Sequence, residues 1–425
     1  MNKYFIYTFI FLLLAGCGLG KKEVVQDDPN AIILFEKSKP IEQELNVGLN
    51  IQLNSLTQGE PFLTNYSNNS GNINFGKNFE KTNSYKFKAI EEFNFTQPEL
   101  LFTDDKGIIF FDGKGNIFKI NEDLKEIWKV NHYTKKERKL NPIIYFAQAG
   151  QNIILMDTLS KVYSINLNDG KLNWTLDSQS GFNSNVKIAK DQAIAVDFNN
   201  VIRAFSINDG KELWNFETEN PFIKSQKKLS LAIKGEAVFF INSIGDITAL
   251  NLNDGSLVWQ TPTQSNVIYQ DAFTLESSDL VFTNDTIYYS NNKNEIFAID
   301  ARNGVVRWQQ TVNSSLRPTI IDNLVFLVSE EGFLFVIDDQ TGNVIRITNI
   351  LKNIENKKKQ IKPTGFIIAR SKLYVSLNNG RLIIINALNG VEEKILKLDN
   401  SKISRANVFN GNLYVLKSNA ILKSN

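Results

Sequence analysis

Residues 162–174 read V-Y-S-I-N-L-N-D-G-K-L-N-W, and this stretch decides the fold. An alternating segment at 162–166 runs into a polar turn that ends in Gly170, and Trp174 stands four residues further on. An Asp-Gly pair between two such segments favours a tight hairpin, because the turn needs a residue that adopts positive φ without strain. The stretch therefore predicts two antiparallel strands joined at Gly170.

The same pattern recurs along the chain. It reads I-R-A-F-S-I-N-D-G-K-E-L-W at 202–214, I-T-A-L-N-L-N-D-G-S-L-V-W at 247–259 and I-F-A-I-D-A-R-N-G-V-V-R-W at 296–308. Two later copies, at 334–342 and 383–390, keep the turn but lack the Trp. A degenerate first copy at 117–128 has a turn one residue shorter and no Gly. The sequence thus holds seven turn-centred repeats.

The spacing of these repeats predicts the architecture. The turn glycines stand at positions 170, 210, 255, 304, 342 and 390, so consecutive ones are 38 to 49 residues apart. Several short strands per unit at this period are typical of β-propeller blades. A hairpin at 413–416 and 420–422 begins an eighth blade, and we expect a strand near 85–95 to complete it. The prediction is an all-β, eight-bladed propeller of four-stranded antiparallel blades over 61–425, its ring closed by an N-terminal strand.

The N-terminus reads as a targeting segment. Lys3 precedes an apolar run at 5–14, which is too short to span a bilayer as a helix. The sequence Leu-Ala-Gly at 14–16 followed by Cys17 resembles a bacterial lipoprotein signal. We therefore predict a signal peptide at 1–16, lipidation of Cys17, and a lipidated tether and N-terminal extension at 17–60. The alternatives are a secretory signal with a chance cysteine, or a short membrane anchor.

The predicted location follows from the residue after the cysteine. Position 18 is Gly, not the Asp that retains many lipoproteins in the inner membrane. The expected address is the periplasmic face of the outer membrane, with the chain lipid-anchored. The net charge is +2, from 47 Lys and Arg against 45 Asp and Glu. A balance this even does not favour nucleic acid as a partner.

Five tryptophans repeat in register with the turns. We expect each indole to dock between neighbouring blades and to bury a large apolar surface there. Stacking on a planar cofactor is the alternative, but five residues spread around a ring cannot all face one ligand. The predicted blade-docking residues are Trp128, Trp174, Trp214, Trp259 and Trp308.

The chain is poor in the side chains that carry chemistry. One histidine and one cysteine exclude most zinc sites and any Ser-His-Asp triad. Phosphate-binding glycine loops do not appear in the sequence either. His132 lies in a basic insert at 131–142, where we expect it to be solvated. The lysines at 357–359 read as a solvated loop, with a phospholipid or protein contact as the alternative. We predict no catalytic residues, no metal and no cofactor.

The repeat at 247–259 and 296–308 resembles the pyrroloquinoline-quinone-type propeller repeat, and the resemblance covers about residues 85–425. Two branches share this repeat: quinone-dependent dehydrogenases, which bind cofactor and calcium on the axis, and the BamB family, lipoproteins of the outer-membrane β-barrel assembly machinery. The lipoprotein signal, the eight blades and the missing catalytic groups resemble the BamB family. That resemblance implies a non-catalytic scaffold that assists folding and insertion of β-barrel proteins, with a periplasmic dehydrogenase as the alternative.

The resemblance also implies partners and a docking site. Members of the family dock onto BamA, within a complex that has further subunits, and contact with nascent outer-membrane proteins is an open possibility. The family's apolar-apolar-basic segment is matched here by Phe222, Ile223 and Lys224, and its acidic segment by Asp271. The second family acid is absent, because Asp271 is followed by Ala272. The alternative is that Phe222 and Ile223 pack beneath their own loop.

Overall fold

The computed structural model describes residues 39–53, 72–73, 82–91, 98–222, 224–263, 274–354 and 360–424. Within these ranges the chain consists of β-strands and turns, with a 3₁₀ turn at Glu137–Leu140. The first eighteen strands are β1 (Asn72–Ile73), β2 (Thr82–Lys86), β3 (Leu101–Phe102), β4 (Ile108–Phe111), β5 (Ile117–Ile120), β6 (Glu126–Val130), β7 (Ile144–Ala149), β8 (Asn152–Asp157), β9 (Lys161–Asn166), β10 (Leu172–Asp177), β11 (Lys187–Ala189), β12 (Gln192–Val196), β13 (Val201–Ser206), β14 (Glu212–Glu217), β15 (Leu231–Lys234), β16 (Ala237–Ile241), β17 (Ile247–Asn251) and β18 (Leu257–Thr261).

The remaining strands continue the same succession to the C-terminus. They are β19 (Val281–Thr283), β20 (Thr286–Asn291), β21 (Glu295–Asp300), β22 (Val306–Gln310), β23 (Thr319–Ile321), β24 (Leu324–Val328), β25 (Phe333–Asp338), β26 (Val344–Asn349), β27 (Pro363–Ala369), β28 (Lys372–Leu377), β29 (Arg381–Asn386), β30 (Glu392–Lys397), β31 (Asn407–Phe409), β32 (Asn412–Lys417) and β33 (Ala420–Ser424).

These strands form eight antiparallel four-stranded sheets, which confirms the predicted propeller. Blade 1 is β3–β6, and blades 2 to 7 follow in steps of four strands up to β30. First strands of successive blades contact each other, as β7 and β11 do, so the first strand of a blade lies nearest the axis. The strand β1 adds to blade 7 by parallel pairing with β27.

The burial pattern explains why the strands differ in sequence. The second strand of blade 4, β16, reads A-V-F-F-I and is buried almost throughout, because neighbouring blades cover both of its faces. The fourth strand, β18, lies at the rim and buries only its central Trp259. The inner strands are therefore continuous apolar runs, whereas the rim strands alternate between exposed and buried residues.

The turn glycines adopt the conformation that the sequence requires. All six have φ between +70° and +77°. In blade 2 the Gly170 amide donates to the Asn166 carbonyl over 2.9 Å, which closes the turn between β9 and β10. In the degenerate blade 1 the turn closes one residue earlier, from the Leu124 amide to the Asn121 carbonyl, and Leu124 takes φ +61°. The shorter turn therefore places a leucine in the left-handed region.

The ring is closed as expected, although the closing strand differs in position. The N-terminal strand β2 pairs with β33 and forms the rim strand of blade 8. It ends at Lys86, so the prediction of a strand near 85–95 was wrong in its bounds. The reason is that the Phe87 and Ile90 amides donate to the Asn419 and Ser418 carbonyls, in the turn between β32 and β33. The C-terminal part supplies the other three strands of that blade.

Each tryptophan of the repeat lies against the turn glycine of the next blade. A Cβ atom added to Gly255 would lie 2.5 Å from Cε3 of Trp214. The same pairing joins Trp128 to Gly170, Trp174 to Gly210, Trp259 to Gly304 and Trp308 to Gly342. Trp174 is half-buried and the other four indoles are buried. The turn glycine therefore supplies both a positive φ and the space for an indole.

The indole nitrogens reinforce this joint between blades. Trp308 Nε1 donates to the Asp339 carbonyl over 2.8 Å, three residues before Gly342. The Trp128, Trp174 and Trp259 nitrogens bond to the carbonyls at the equivalent positions of the following blades. Trp214 differs, since its nitrogen donates to Oε1 of Gln192 within blade 3.

Blade 6 has an arginine where the earlier blades have tryptophan. Arg346 pairs with Val336 in the register that Trp308 has with Ala298 in blade 5. Its Nη2 donates to the Ala387 carbonyl over 2.8 Å, three residues before Gly390. Arg346 is fully buried, and burial lowers its pKa to about 10. The guanidinium thus forms the hydrogen bond that an indole nitrogen forms elsewhere in the ring.

Residues 39–53, which we call the N-terminal strap, lie along the rim of blade 6. Leu45 and Ile347 exchange backbone hydrogen bonds of 3.1 and 3.0 Å. The Leu49 carbonyl accepts from Arg346 Nη1 over 2.8 Å, and the Ile51 amide donates to the Leu388 carbonyl of blade 7. The strap therefore ties blade 6 to blade 7. The predicted tether and extension, 17–60, is described only over this part.

A second recurring hydrogen-bond pattern, which the repeat did not predict, closes the turn between the second and third strands. In blade 2, Asp157 Oδ1 accepts from the Leu159 and Lys161 amides over 2.8 and 2.9 Å. Asp and Asn side chains accept a hydrogen bond from the backbone amide two residues further along the chain, and this bond stabilises turns. Equivalent bonds are made by Asp112, Asp197, Asn242 and Asn291.

Asp157 also belongs to a buried polar cluster. Its Oδ2 accepts from the Tyr133 hydroxyl over 2.5 Å, and that hydroxyl lies 2.9 Å from the Tyr163 hydroxyl. Burial raises the pKa of Asp157 to about 6, although its hydrogen bonds act against this shift. The fold therefore favours the protonated acid.

This pKa predicts a dependence of stability on pH. A group whose pKa is higher in the folded state stabilises the fold below its unfolded pKa, and the contribution is lost as the pH rises through the folded value. We expect the contribution of Asp157 to the free energy of unfolding to fall by roughly 2 kcal/mol between about pH 4 and pH 7, measured as the difference between wild type and Asp157→Asn. Urea denaturation across this range would measure it. Asp157→Asn cannot ionise, so a difference between wild type and this variant that stays constant from pH 4 to pH 7 would contradict the assignment.

Candidate partner-binding site

The longest connections of the ring lie at one end. Successive antiparallel strands reverse direction, so segments that join the fourth strand of one blade to the first strand of the next lie opposite the glycine turns. We call the end with these segments the connection face, and the other end the turn face. Among the described residues, the connection face includes 131–143, 178–186, 218–222, 224–230, 262–263, 274–280, 311–318, 350–354, 360–362 and 398–406. Loops on a rigid scaffold are frequent binding sites.

Phe222 lies on this face, between β14 and β15, and its side chain is fully exposed at 102%. It therefore does not pack beneath its own loop. Lys224 is half-buried and donates to Asn220 Oδ1 within the same connection. Burial lowers the pKa of Lys224. Ile223 lies outside the described residues.

The connections after blades 3 and 4 contact each other. The Ser225 hydroxyl donates to the Leu275 carbonyl over 2.7 Å. Lys227 Nζ lies 2.8 Å from Glu276 Oε1, and both side chains are largely covered. Asp271 lies outside the described residues, four positions before Leu275 in the chain. The two segments that carry the predicted partner-binding residues are thus neighbours on one face.

An axial cavity of about 1240 Å³ lies beside these connections. Its lining includes two ion pairs between blades. Lys228 Nζ lies 2.7 Å from Glu99 Oε1, and Arg317 Nε donates to Asp279 Oδ2 over 2.7 Å. Burial acts to raise the pKa of Glu99 and Asp279, but the adjacent cations outweigh it and lower both values. The two carboxylates are therefore held ionised by structural partners.

Further cations lie near these pairs. Burial, reinforced by the charge of Arg317, lowers the pKa of Lys187 to about 8. The same two causes lower the pKa of Arg405 to about 9. Arg405 Nε donates to the Phe366 carbonyl over 2.9 Å, which fixes the side chain against blade 7. The axis of this propeller thus carries charged side chains from several blades.

The arrangement offers binding surface rather than catalytic geometry. In the described part of the chain, no group of three or more His, Cys, Asp or Glu residues is placed to hold a metal ion. His132 is not solvated as we expected: it is half-buried, and its Nε2 lies 3.0 Å from the Gly170 carbonyl. His132 is covered because the 131–142 insert docks onto blade 2. Cys17, the predicted lipidation site, lies outside the described residues.

Sequence reasoning missed the charged axis, although a signal was present. Glu99, Asp279, Arg317 and Arg405 each stand two residues before the first strand of a blade. That position projects towards the centre of the ring, so a charge repeated at this offset marks an axial cluster. Arg346 carried a signal of the same kind, since it occupies the tryptophan position of its repeat.

The sequence model of the family described as "Outer membrane protein assembly factor BamB" matches residues 113–348, which is more than half of the chain. The chain belongs to the BamB family. Two curated BamB proteins also resemble it, although each match is partial. The protein from Yersinia pestis is 24% identical over 117 residues, which is 27% of this chain and 30% of the relative. The protein from Shewanella oneidensis is 21% identical over 160 residues, which is 36% of this chain and 35% of the relative.

Solved structures extend the comparison over most of the ring. BamB from Moraxella catarrhalis covers 81% of this chain and 98% of its own, with a TM-score of 0.64 and 16% identity. A quinohemoprotein alcohol dehydrogenase from Pseudomonas putida HK5 covers 80% of this chain and 75% of its own, with a TM-score of 0.59 and 10% identity. At such identities the likeness shows the propeller fold alone. The names of the BamB relatives, assembly factors, point to a non-enzymatic role.

In the described part of the chain, no helix has the length and apolar character needed to cross a bilayer.

Proposed function

We propose that this chain is a non-catalytic scaffold lipoprotein of the outer-membrane protein assembly complex. It binds BamA, together with other subunits of that complex, and assists the folding and insertion of β-barrel proteins. Acyl chains on Cys17 hold it at the periplasmic face of the outer membrane. Membership of the BamB family carries this proposal, and the matches to the curated relatives, which are named assembly factors, support it.

The docking site in this proposal is the connection face at blades 3 and 4. Phe222 projects fully into solvent from a segment otherwise rich in polar residues. Exposed aromatic side chains with a polar surround are typical anchors of protein interfaces. Ile223 extends the apolar contact, and Lys224 and Asp271 contribute charge at its margin. The contact between Ser225 and Leu275 supports a single surface made of both segments.

A quinone-dependent dehydrogenase is the second candidate. The likeness to quinohemoprotein alcohol dehydrogenases and the axial cavity favour it. Against it, the cavity is lined by carboxylates that already pair with Lys228 and Arg317. Purification of the complex from native membranes in mild detergent separates the candidates: a scaffold co-purifies with BamA, whereas an enzyme carries a cofactor absorbance and reduces a dye with an alcohol or a sugar.

The docking site predicts a selective loss of binding. Replacing Phe222 and Ile223 with Ala should weaken the affinity for BamA by roughly 2 kcal/mol or more, because apolar anchors dominate interface energies. Titration of purified BamA with each variant would measure the affinity. Thermal stability should change little, since Phe222 makes no buried contact.

The matched control is a double replacement elsewhere. Val305 and Val306 are adjacent exposed aliphatic residues, 59% and 39% exposed, at the rim of blade 5. Val305→Ala with Val306→Ala should bind BamA normally. If the Phe222 and Ile223 double variant bound BamA as tightly as wild type does, these residues would not belong to the interface.

A further inference from the structure

The basic insert at 131–142 is a rigid part of blade 2. Tyr133 is buried, and its hydroxyl bonds to Asp157 over 2.5 Å. The Thr134 amide donates to Glu137 Oε2 over 2.7 Å, and the Glu137 amide donates back to Thr134 Oγ1 over 3.4 Å. This reciprocal pair holds together the residues that lead into the 3₁₀ turn Glu137–Leu140. The insert therefore presents its remaining side chains from a defined backbone.

Glu137 is the one acidic residue of the 3₁₀ turn, and its carboxylate forms an ion pair. Glu137 Oε1 lies 2.9 Å from Lys161 Nζ in blade 2, and both side chains are about a quarter exposed, at 24% and 23%. The hydrogen bonds from Lys161 and from the Thr134 amide lower the pKa of Glu137 to about 2. The acid thus faces the blade and remains ionised there. It does not neutralise the outer side of the turn.

The outer side presents cations and one aliphatic residue. Lys135, Lys136 and Lys139 are exposed, and none of their ammonium groups forms a hydrogen bond or ion pair with another described residue. Leu140 is 65% exposed beside them. Arg138 adds a fourth positive charge and is held to the Tyr133 carbonyl through Nε over 3.2 Å. Four cations and a leucine thus project from six residues, 135–140.

This combination matches an anionic phospholipid surface. Lysine is a compact, mobile charge that suits a diffuse field better than a fixed bidentate contact. Basic side chains close to an anionic bilayer each contribute about 1 kcal/mol of attraction. A neighbouring aliphatic side chain adds burial at the headgroup boundary, which a purely electrostatic protein contact does not require. The exposed Leu140 therefore favours a lipid surface over an acidic protein.

We propose that Lys135, Lys136, Lys139 and Leu140 form a contact site for the phosphate headgroups of an anionic membrane surface. The site lies on the connection face, at blades 1 and 2. This contact orients the connection face towards the bilayer. It is separate from any membrane contact that acyl chains make. It requires neither lipidation of Cys17 nor binding of BamA, so it stands or fails separately from the proposed function.

The test is vesicle co-sedimentation of residues 18–425, which retain every described residue and lack Cys17. Vesicles of phosphatidylcholine alone are compared with vesicles that also contain phosphatidylglycerol. We expect binding only to the second kind. Replacing Lys135, Lys136 and Lys139 with Gln should lower the partition coefficient by about tenfold or more. Leu140→Ala should lower it by roughly threefold. Added salt should weaken binding, because it screens exposed charges.

The matched control removes the same charge from the turn face. Lys125, Lys171 and Lys211 are exposed lysines beside the turns that join the third and fourth strands of blades 1 to 3. Their joint replacement with Gln should leave the partition coefficient unchanged. If both triple variants lost the same fraction of the partition coefficient, net charge alone would explain the binding, and the proposed site would be wrong. Absence of binding to anionic vesicles would also overturn it, as would a Leu140→Ala variant that binds as wild type does.

Discussion

Replacing Trp214 with Ala is expected to lower the free energy of unfolding by about 3–5 kcal/mol, the range for removal of a buried aromatic side chain. Trp214 is 8% exposed, and its ring packs against Gly255 of the next blade. The indole nitrogen also donates to Gln192 Oε1 over 2.8 Å. Its removal leaves a cavity between blades 3 and 4 and a side-chain amide without its donor.

Urea denaturation followed by fluorescence and circular dichroism would measure this loss. Trp174 provides the internal comparison, because its indole is only half-buried and its hydrogen bond to the Ile207 carbonyl is longer, at 3.3 Å. We expect Trp174→Ala to cost less than Trp214→Ala. A loss below about 1 kcal/mol for Trp214→Ala would show that the indole contributes little to the joint between blades.

Replacing Gly255 with Ala is expected to cost roughly 3 kcal/mol, from two separate causes. Gly255 has φ +71°, a conformation that costs an L-residue about 1–2 kcal/mol. The added Cβ would also lie 2.5 Å from the Trp214 ring, so the indole must shift, and overpacking of this kind costs about 1–3 kcal/mol.

Gly235 separates the two causes. It has φ +59°, and a Cβ added there meets nothing within 4 Å. Gly235→Ala should therefore show the backbone cost alone, and the excess loss in Gly255→Ala measures the contact with Trp214. In the double variant Trp214→Ala with Gly255→Ala the excess should vanish, because the ring is gone. Equal losses for Gly255→Ala and Gly235→Ala would contradict the steric account.

The architecture could be predicted because its signal is local and repeated. Each of the six glycine turns needs a positive φ, and in four of them a tryptophan follows the glycine by four residues, so the copies report the same geometry. The closing strand was harder to place. Pairing of β2 with β33 joins residues near opposite ends of the chain, and the pattern around Lys86 does not show where the pairing stops.

The parts that escaped prediction depend on contacts between distant residues. Arg346 substitutes for a tryptophan because the carbonyls of Ala387 and Leu49 lie within its reach. The charged axis likewise needs the ring to bring Glu99 to Lys228, which stand 129 positions apart in the chain. At the docking surface, the sequence allowed Phe222 either to be exposed or to pack beneath its own loop. Only the structure distinguishes these two arrangements.

The N-terminal strap gives the molecule a mechanical property. Any tension applied to the chain before Lys39 reaches the strap first, where the backbone bonds between Leu45 and Ile347 and the Arg346 contact oppose it. The closing strand β2 comes later in the chain and is loaded only after the strap gives way. With the proposed lipid anchor, movement of the membrane would pull on blades 6 and 7 and leave the seam of the ring unstressed.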